Sequence, residues 1–418
     1  MTPVPNRGFS QDHAALLDAL AATPDLLLIQ DLDGVCMDLV HDPLTRTLER
    51  DYLEAAAALG DAFRVLTNGE HIGPRGVNAI VDRAFAAPGN YLPGLAAGGV
   101  QLQDRFGTLS HPGVSEAERA FLQTVPTRMT RWLSTLVLGA PYLVEPHRVA
   151  TLVATCVLDN PASPTFNLNA LHQILADRPA LYPQLQEQVA GFMHALLREA
   201  HDEGLGDAFF VHYAPNLGRD SDGNERLKPA EGQDAGTTDV QLMLAGALKE
   251  AGVLVLLNHH VHARTGHWPL GADFNARTAP RTLEAQVALA KEKIAPADMP
   301  RLVGVGDTVT SASRNSAQLR GGSDRGFLTL VQRLGKAFGT DNRVLFVDSS
   351  GGQVRRPGLD AGLLCAGEGD ADFDPRLTAP GITDADDPLR LDVVFPDGPA
   401  QYVAFFCALA RRRRGSNR

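Results

Sequence analysis

Four aliphatic residues in succession, Leu26-Leu27-Leu28-Ile29, lead through Gln30 into the acidic turn Asp31-Leu32-Asp33-Gly34-Val35. A strand with one wet face alternates apolar and polar residues, whereas an unbroken apolar run fits a parallel strand covered on both faces. Such a strand needs helices above and below it, which confines the chain to layered α/β architectures. Three further short runs end in polar residues: Phe63-Arg64-Val65-Leu66 at Thr67, Leu302-Val303-Gly304-Val305 near Asp307, and Val344-Leu345-Phe346-Val347 at Asp348. One strand ending in Asp is ordinary turn chemistry. Repeated polar ends matter more, because the carboxyl ends of an open parallel sheet form its binding edge. Asp31, Thr67, Asp307 and Asp348 are therefore expected to line one crevice.

Around these runs the pattern predicts a Rossmann-like parallel-sheet core interrupted by an insert. Helical periodicity at Ala14–Ala22 and Tyr52–Leu59 frames a β-α-β unit with a right-handed crossover. Leu95–Gly113 reads as a glycine turn and a hairpin, with Arg105-Phe106-Gly107 near its tip. From about Glu116 to Leu205 the text changes to helical stretches, Glu116–Thr124, Arg128–Leu138 and Leu185–Ala200, and the loop Leu158–Pro164. Pro126 is expected to break or kink the chain between the first two helices. Asp207–Tyr213 is strand-like, and Thr237–Gly252 reads as a helix with Thr237 or Thr238 as N-cap. The expected division is a core over 1–110, an insert over 111–212 and the rest of the core over 213–418.

With 418 residues, 44% of them apolar, the chain can bury more than one core. Its formal charge of −11 argues against nucleic-acid and anionic-membrane partners, which need clustered Lys and Arg. Cys36, Cys156, Cys365 and Cys407 form no CxxC pair, so reduced thiols are expected. The opening MTPVPNRGFSQDH lacks the basic and apolar regions of a secretory leader. Apolar stretches such as Ala251–Leu257 fall well short of the roughly 20 residues of a spanning helix. A cytoplasmic location is the expectation.

Asp31 and Asp33 are two residues apart, so in extended backbone both carboxylates begin on one face while Leu32 points away. Gly34 permits the tight turn that lifts Asp33 over the strand end. Carboxylates this close repel, and one would retain its proton unless a cation neutralised them. Mg²⁺ is suited to this, since it takes oxygen ligands, keeps waters and accepts a substrate phosphate. The expected roles are Asp31 as nucleophile, forming an aspartyl-phosphate that water hydrolyses, and Asp33 as general acid/base. Asp307, in Gly304-Val305-Gly306-Asp307-Thr308, is a second metal-binding acid. Asp324, ahead of a helix at Phe327–Leu334, is either a further metal-site acid or an ordinary acid at a helix N-terminus. Thr67 and Asn68 offer hydroxyl, amide and backbone N–H donors to phosphate oxygens.

Asp31-Leu32-Asp33-Gly34-Val35, Leu66-Thr67-Asn68-Gly69 and Gly304-Val305-Gly306-Asp307, in this order, resemble the motifs of the haloacid dehalogenase-like phosphatase superfamily. The insert looks like the α+β type C2 cap of sucrose- and trehalose-phosphate phosphatases. QDLDGVCMDLVHDPL, VLTNGEHIGPRGV, YLPGLAAGGVQ, VLDNPASPT, FFVHYAPNLGRD and GVGDTVTS resemble the glucosylglycerol-phosphate phosphatase family, which serves compatible-solute synthesis under salt stress. The resemblance implies Mg²⁺-dependent hydrolysis of 2-O-(α-D-glucosyl)glycerol 3-phosphate. It makes Asp31 nucleophile and metal ligand, and Asp33 acid/base with its backbone carbonyl also on the metal. Thr67 becomes the phosphate-binding hydroxyl and Asp307 a metal ligand. The alternatives are a phosphatase for sucrose, trehalose or glucosylglycerate phosphate, or a non-catalytic regulator that binds sugar phosphate. The glucosylglycerol-phosphate synthase is the candidate protein partner.

Two positions depart from the superfamily pattern. The second metal-site Asp is expected about four residues after the first, where this chain has Ser311; Asp324 looks like its counterpart, displaced by an insertion. The phosphate-binding Lys normally precedes a Gly at a helix entrance, where this chain has Ala235-Gly236. Lys249 falls near the end of the expected helix and should point away from the crevice. Lys228, in the preceding loop, is favoured, with Arg219 as a substitute.

In and just after the insert, Asp159, Asn160, His212, Asn216 and Arg219 sit in largely non-helical text and are candidates for sugar hydroxyls. His259, His260, His262 and His267 have no Cys or Asp at zinc-site spacing, so polar-surface or supporting roles are expected. Trp268 is a candidate sugar-stacking ring, although a lone Trp is more often packing.

Overall fold

The computed structural model describes residues 8–367, 370 and 373–416, so part of the opening stretch read for a leader lies outside the described residues. Among them no helix is long and apolar enough to cross a membrane.

The apolar runs become neighbouring strands of one eight-stranded sheet. Leu26–Gln30 lies between Arg301–Gly306 and Phe63–Leu66, parallel to both. Arg343–Val347 and Val393–Phe395 extend the parallel set on one side, and Gly94–Ala96 extends it on the other. The expected hairpin closes that second edge as antiparallel Gln101–Gln103 and Leu109–Ser110. Burial follows the period of two within the central strand. Leu26 and Leu28 pack with Tyr52, Phe63 and Phe406, while Leu27 and Ile29 pack with Leu254, Phe327 and Val331 on the opposite face. Both faces are dry, which is why the run does not alternate.

A second, four-stranded sheet is antiparallel, in the order Val157–Leu158, Thr165–Asn167, Asp239–Leu244, Phe209–Ala214. Phe166, Val211, Tyr213, Val240, Leu242 and Leu244 face a separate core built with helices Glu116–Leu138, Pro146–Cys156 and Leu181–Ala200. Thr165, Asn167, Asp239, Gln241 and His212 occupy the alternate positions, on the other side of the sheet. That polar side roofs the strand ends of the main sheet.

Three expectations change here. Pro126 does not break the helix, which is continuous over Glu116–Leu138. Phe121, Leu122, Val125, Met129, Leu133 and Val137 form one buried stripe across it. Burying a large apolar side chain is worth about 1.5–3 kcal/mol, so the stripe outweighs the ~3 kcal/mol that an interior proline costs. Thr237–Gly252 is not a helix: Asp239–Leu244 is a strand and the helix starts only at Lys249, running to Thr265. Gly246, at φ +91°, makes the turn between them. In consequence the second sheet takes in residues well past the boundary drawn at 212, which itself cuts through Phe209–Ala214.

Candidate active site

Asp31 leaves its strand with its backbone N–H still bonded to Val305, and its Oδ1 accepts from the N–H of Leu32 at 2.8 Å. Gly34 follows at φ +78°, where a Cβ would lie 2.1 Å from Asp307 Oδ2. No side chain fits there, so the glycine lets the first acidic loop close onto the next strand end. The carboxylates of Asp31, Asp307 and Asp324 each offer an oxygen within 4.8 Å of the others, all three residues being buried. Asp324 is held by the N–H groups of Asp307 and Thr308, both at 3.0 Å, and makes no capping bond to its own helix. The intervening insertion is the hairpin Thr310–Arg314 with Ala317–Gly321. It loops out and returns Asp324 to the group, while Ser311 turns away to Asp384.

Lys249, at the start of its helix, donates to Asp31 at 2.5 Å and to Asp324 at 2.6 Å. Burial would lower its pKa, but the two carboxylates outweigh burial and keep the ammonium charged. Burial pushes Asp31 up to about 8, opposed by Lys249 and reinforced by Asp324 and Asp307. Asp307 is pushed to about 7, first by burial and then by Asp324. Its Oδ2 is buried without a hydrogen-bond partner. Three crowded oxygen donors, one of them unpartnered, fit a hard divalent cation.

Lys228, favoured from the sequence, pairs instead with Asp234 at 2.6 Å. The cause of the misplacement is the helix start: residue 249 begins a helix aimed at the strand ends rather than finishing one aimed away. Asp33 turns its carboxylate to Arg46, with contacts at 2.9 and 3.1 Å. Thr67 is buried at its strand end, where its Oγ1 accepts from Gly69 N–H at 3.2 Å. Asn68 reaches His212 at 2.9 Å.

The sugar candidates divide. His212 lies 2.8 Å from Glu225, and Asn216 and Arg219 donate to the same carboxylate at 3.1 and 3.0 Å. This buried acid gathers them beside an adjoining cavity. Burial would raise Glu225, yet His212 and Arg219 hold it below the usual carboxylate range. Asp159 is 56% exposed and paired with Arg75. Only Asn160 of that set lines the cleft with Asp31, Asp33, Thr67 and Asn68. The histidine cluster is elsewhere: His260 contacts Asp25, and His259 and His262 pack on Trp268.

Several cleft residues escaped the sequence reading. Arg356 lies 4.0 Å from Asp307 and donates to Thr308 and Thr238 at 3.2 and 3.3 Å. Glu70 accepts from Ala162 N–H, Ser163 and Gln101, which ties the loop after Thr67 to the roof. Asn167, Asn169, Asp239 and Gln241 line the roof itself. The alternation in Asp239-Val240-Gln241-Leu242 was the available signal for that strand. The arginine carried none, because its placement depends on a long irregular loop.

A family model for glucosylglycerol-phosphate phosphatase matches residues 25–410. The glucosylglycerol-phosphate phosphatase of Synechocystis sp. is 49% identical over 416 residues, spanning 97% of both chains. The chain belongs to the glucosylglycerol-phosphate phosphatase family. As a member it is a phosphatase, a phosphoric monoester hydrolase. Among solved structures, a Candida albicans trehalose-6-phosphate phosphatase C-terminal domain is 11% identical, with a TM-score of 0.46, over 97% of this chain and 99% of that one. The C-terminal domain of a C. albicans trehalose synthase regulatory protein is 9% identical, with a TM-score of 0.45, over 96% and 99%.

Proposed function

We propose that this family member hydrolyses 2-O-(α-D-glucosyl)glycerol 3-phosphate to glucosylglycerol and phosphate, in the synthesis of a compatible solute. The observation that carries the reading is the grouping of Asp31, Asp307 and Asp324 around Lys249, with Asp31 reaching the floor of a polar-roofed cleft. Those three carboxylates, with the backbone carbonyl of Asp33, would hold Mg²⁺, whose chemistry is to offset phosphoryl charge.

In this reading an oxygen of Asp31 attacks phosphorus and the substrate alkoxide leaves, giving an aspartyl-phosphate. Asp33 supplies the proton to the leaving oxygen and later takes one from the water that hydrolyses the intermediate. Arg46 fixes the Asp33 carboxylate for both steps. An ammonium has three N–H donors; Lys249 spends two on Asp31 and Asp324, leaving one for a phosphoryl oxygen. Thr67 and Arg356 add donors beside it. The antiparallel sheet covers the sugar and keeps bulk water from the intermediate.

A phosphate-release panel of glucosylglycerol, sucrose, trehalose and glucosylglycerate phosphates, in Mg²⁺ and in EDTA, tests the assignment. Turnover is expected for the first substrate and is expected to vanish with chelation. Tight sugar-phosphate binding with no release from any substrate would instead mark a non-catalytic regulator. Asp31→Asn should lose several orders of magnitude, as removal of a covalent catalyst does; retention of more than about a tenth of the rate contradicts the nucleophile assignment.

A further inference from the structure

Seventeen positions separate Asp307 from Asp324, yet the two acids share one site. Most of that interval is the hairpin Thr310–Arg314 with Ala317–Gly321, whose outer residues, 313–318, are exposed. A lone two-stranded hairpin is marginally stable in water, so its own ladder is a weak means of fixing the distance across its root. The root is held instead by the chain that leaves the second sheet. Thr310 and Gly321 are paired there, and the Asn216 carbonyl accepts from Thr310 Oγ1 at 2.6 Å and from the N–H of Gly322 at 3.1 Å. One acceptor thus grips both sides of the neck. Gly321 leaves room for it: a Cβ there would lie 2.1 Å from the Gly218 nitrogen and 2.5 Å from the Asn216 carbonyl oxygen. Beyond the neck, Asp384 takes Ser311 and Arg320 at 2.5 and 2.6 Å.

The Asn216 side chain is spent on the same task. Its Oδ1 accepts from the N–H groups of Gly218 and Gly322 at 2.9 and 3.2 Å. Its Nδ2 donates to the Tyr213 carbonyl and to Glu225, both at 3.1 Å, which anchors the clamp in the second sheet. An Asn amide has two donors and two acceptor positions, and all four are used. The buried residue therefore has nothing left for a sugar hydroxyl. We infer that Asn216 is a positioning residue for the metal site: by clamping the neck of the hairpin it holds Asp307 and Asp324 within reach of one cation. Short links carry the effect. Thr310 is three residues after Asp307 and Gly322 is two before Asp324, which in turn takes the N–H groups of Asp307 and Thr308 at 3.0 Å. Removing a group that orients metal ligands from outside the coordination sphere typically costs about 10–100-fold in metal affinity. This inference rests on the metal reading of Asp31, Asp307 and Asp324 proposed above.

Calorimetric titration of the full-length protein with Mg²⁺, without substrate, tests this. Asn216→Ala removes all four side-chain bonds, and Thr310→Val removes the hydroxyl bond with little change of shape. Affinity should fall about tenfold or more in the first variant and at least about threefold in the second. Gln318→Ala, on the exposed part of the same hairpin, should stay within about twofold of the wild type. At saturating Mg²⁺, kcat for p-nitrophenyl phosphate should return to within about threefold of the wild type in both neck variants. Excess metal restores a misplaced pair of ligands but not an unfolded chain, and the binding stoichiometry reports the folded fraction. Should Asn216→Ala not fold, Thr310→Val carries the same test. Neck variants that keep wild-type Mg²⁺ affinity, a Gln318→Ala variant that falls as far as they do, or a kcat that excess Mg²⁺ leaves low overturns the inference while the metal reading stands. A wild type that binds no Mg²⁺ overturns the metal reading itself, and the inference with it.

Discussion

Replacing Lys249 with methionine keeps most of the side-chain length and removes the charge. Two charge-assisted bonds disappear, at 2.5 Å to Asp31 and 2.6 Å to Asp324, and both carboxylates are left buried without their cation. Breaking a buried pair by removing one partner costs about 3–5 kcal/mol, so the metal-free variant should melt well below the wild type. Divalent cation should recover part of that loss, because it supplies charge to the same oxygens. The rate is hit separately. A donor aimed at developing charge in a water-poor site is worth about 10²–10³ in kcat, and Lys249→Met should fall by at least that much. Lys228→Met is the matched comparison, since it breaks an ion pair with Asp234 outside the carboxylate group. Its rate should stay within about threefold of the wild type. Steady-state phosphate release at saturating Mg²⁺, with circular dichroism as the folding check, measures both. A Lys249→Met enzyme that keeps more than about a tenth of kcat, or a Lys228→Met enzyme that falls as far, refutes the reasoning.

Two other perturbations follow from the same geometry. Burial pulls the Glu70 carboxyl up from 4.5 to about 7, against the bonds from Ala162, Gln101 and Ser163. A value raised on folding means the stability from this group is full below about 4.5 and lost as pH rises through 7, at most about 3 kcal/mol. Denaturant titrations at pH 5 and pH 8 should show that loss in the wild type and a smaller one in Glu70→Gln; equal slopes would contradict it. Gly34→Ala places a Cβ 2.1 Å from Asp307 Oδ2, at φ +78°. Calorimetric Mg²⁺ affinity and kcat/KM should both drop by more than tenfold, and a fully active variant would show that the acidic loop can shift without cost.

Sequence reading succeeded where the signal is local. The dry strand Leu26–Gln30 announces itself by lacking alternation, and Asp31, Asp307 and Asp324 meet although a hairpin separates the last two. It is silent where position depends on partners distant in the chain. His212, Asn216 and Arg219 have the chemistry of sugar ligands, yet the buried Glu225 gathers them. Asn167 and Gln241 look ordinary until pairing across the second sheet puts Asp239 opposite Asn167 and Gln241 opposite Thr165. Lys249 is placed on the wrong side when Thr237–Gly252, rich in Leu and Ala, is read with one helical period throughout, because the segment is a strand and then a helix. The alternation of Asp239-Val240-Gln241-Leu242 and the break at Gly246 both argued for two elements.

The turn at Gly246 joins two parts with different duties. Asp239–Leu244 is a roof strand, and Lys249 follows after only the four residues from Ala245 to Leu248. Any displacement of that strand acts through a leash this short, with the charged lysine at its far end. The length of one turn thus ties the position of the roof strand to that of the buried cation between Asp31 and Asp324.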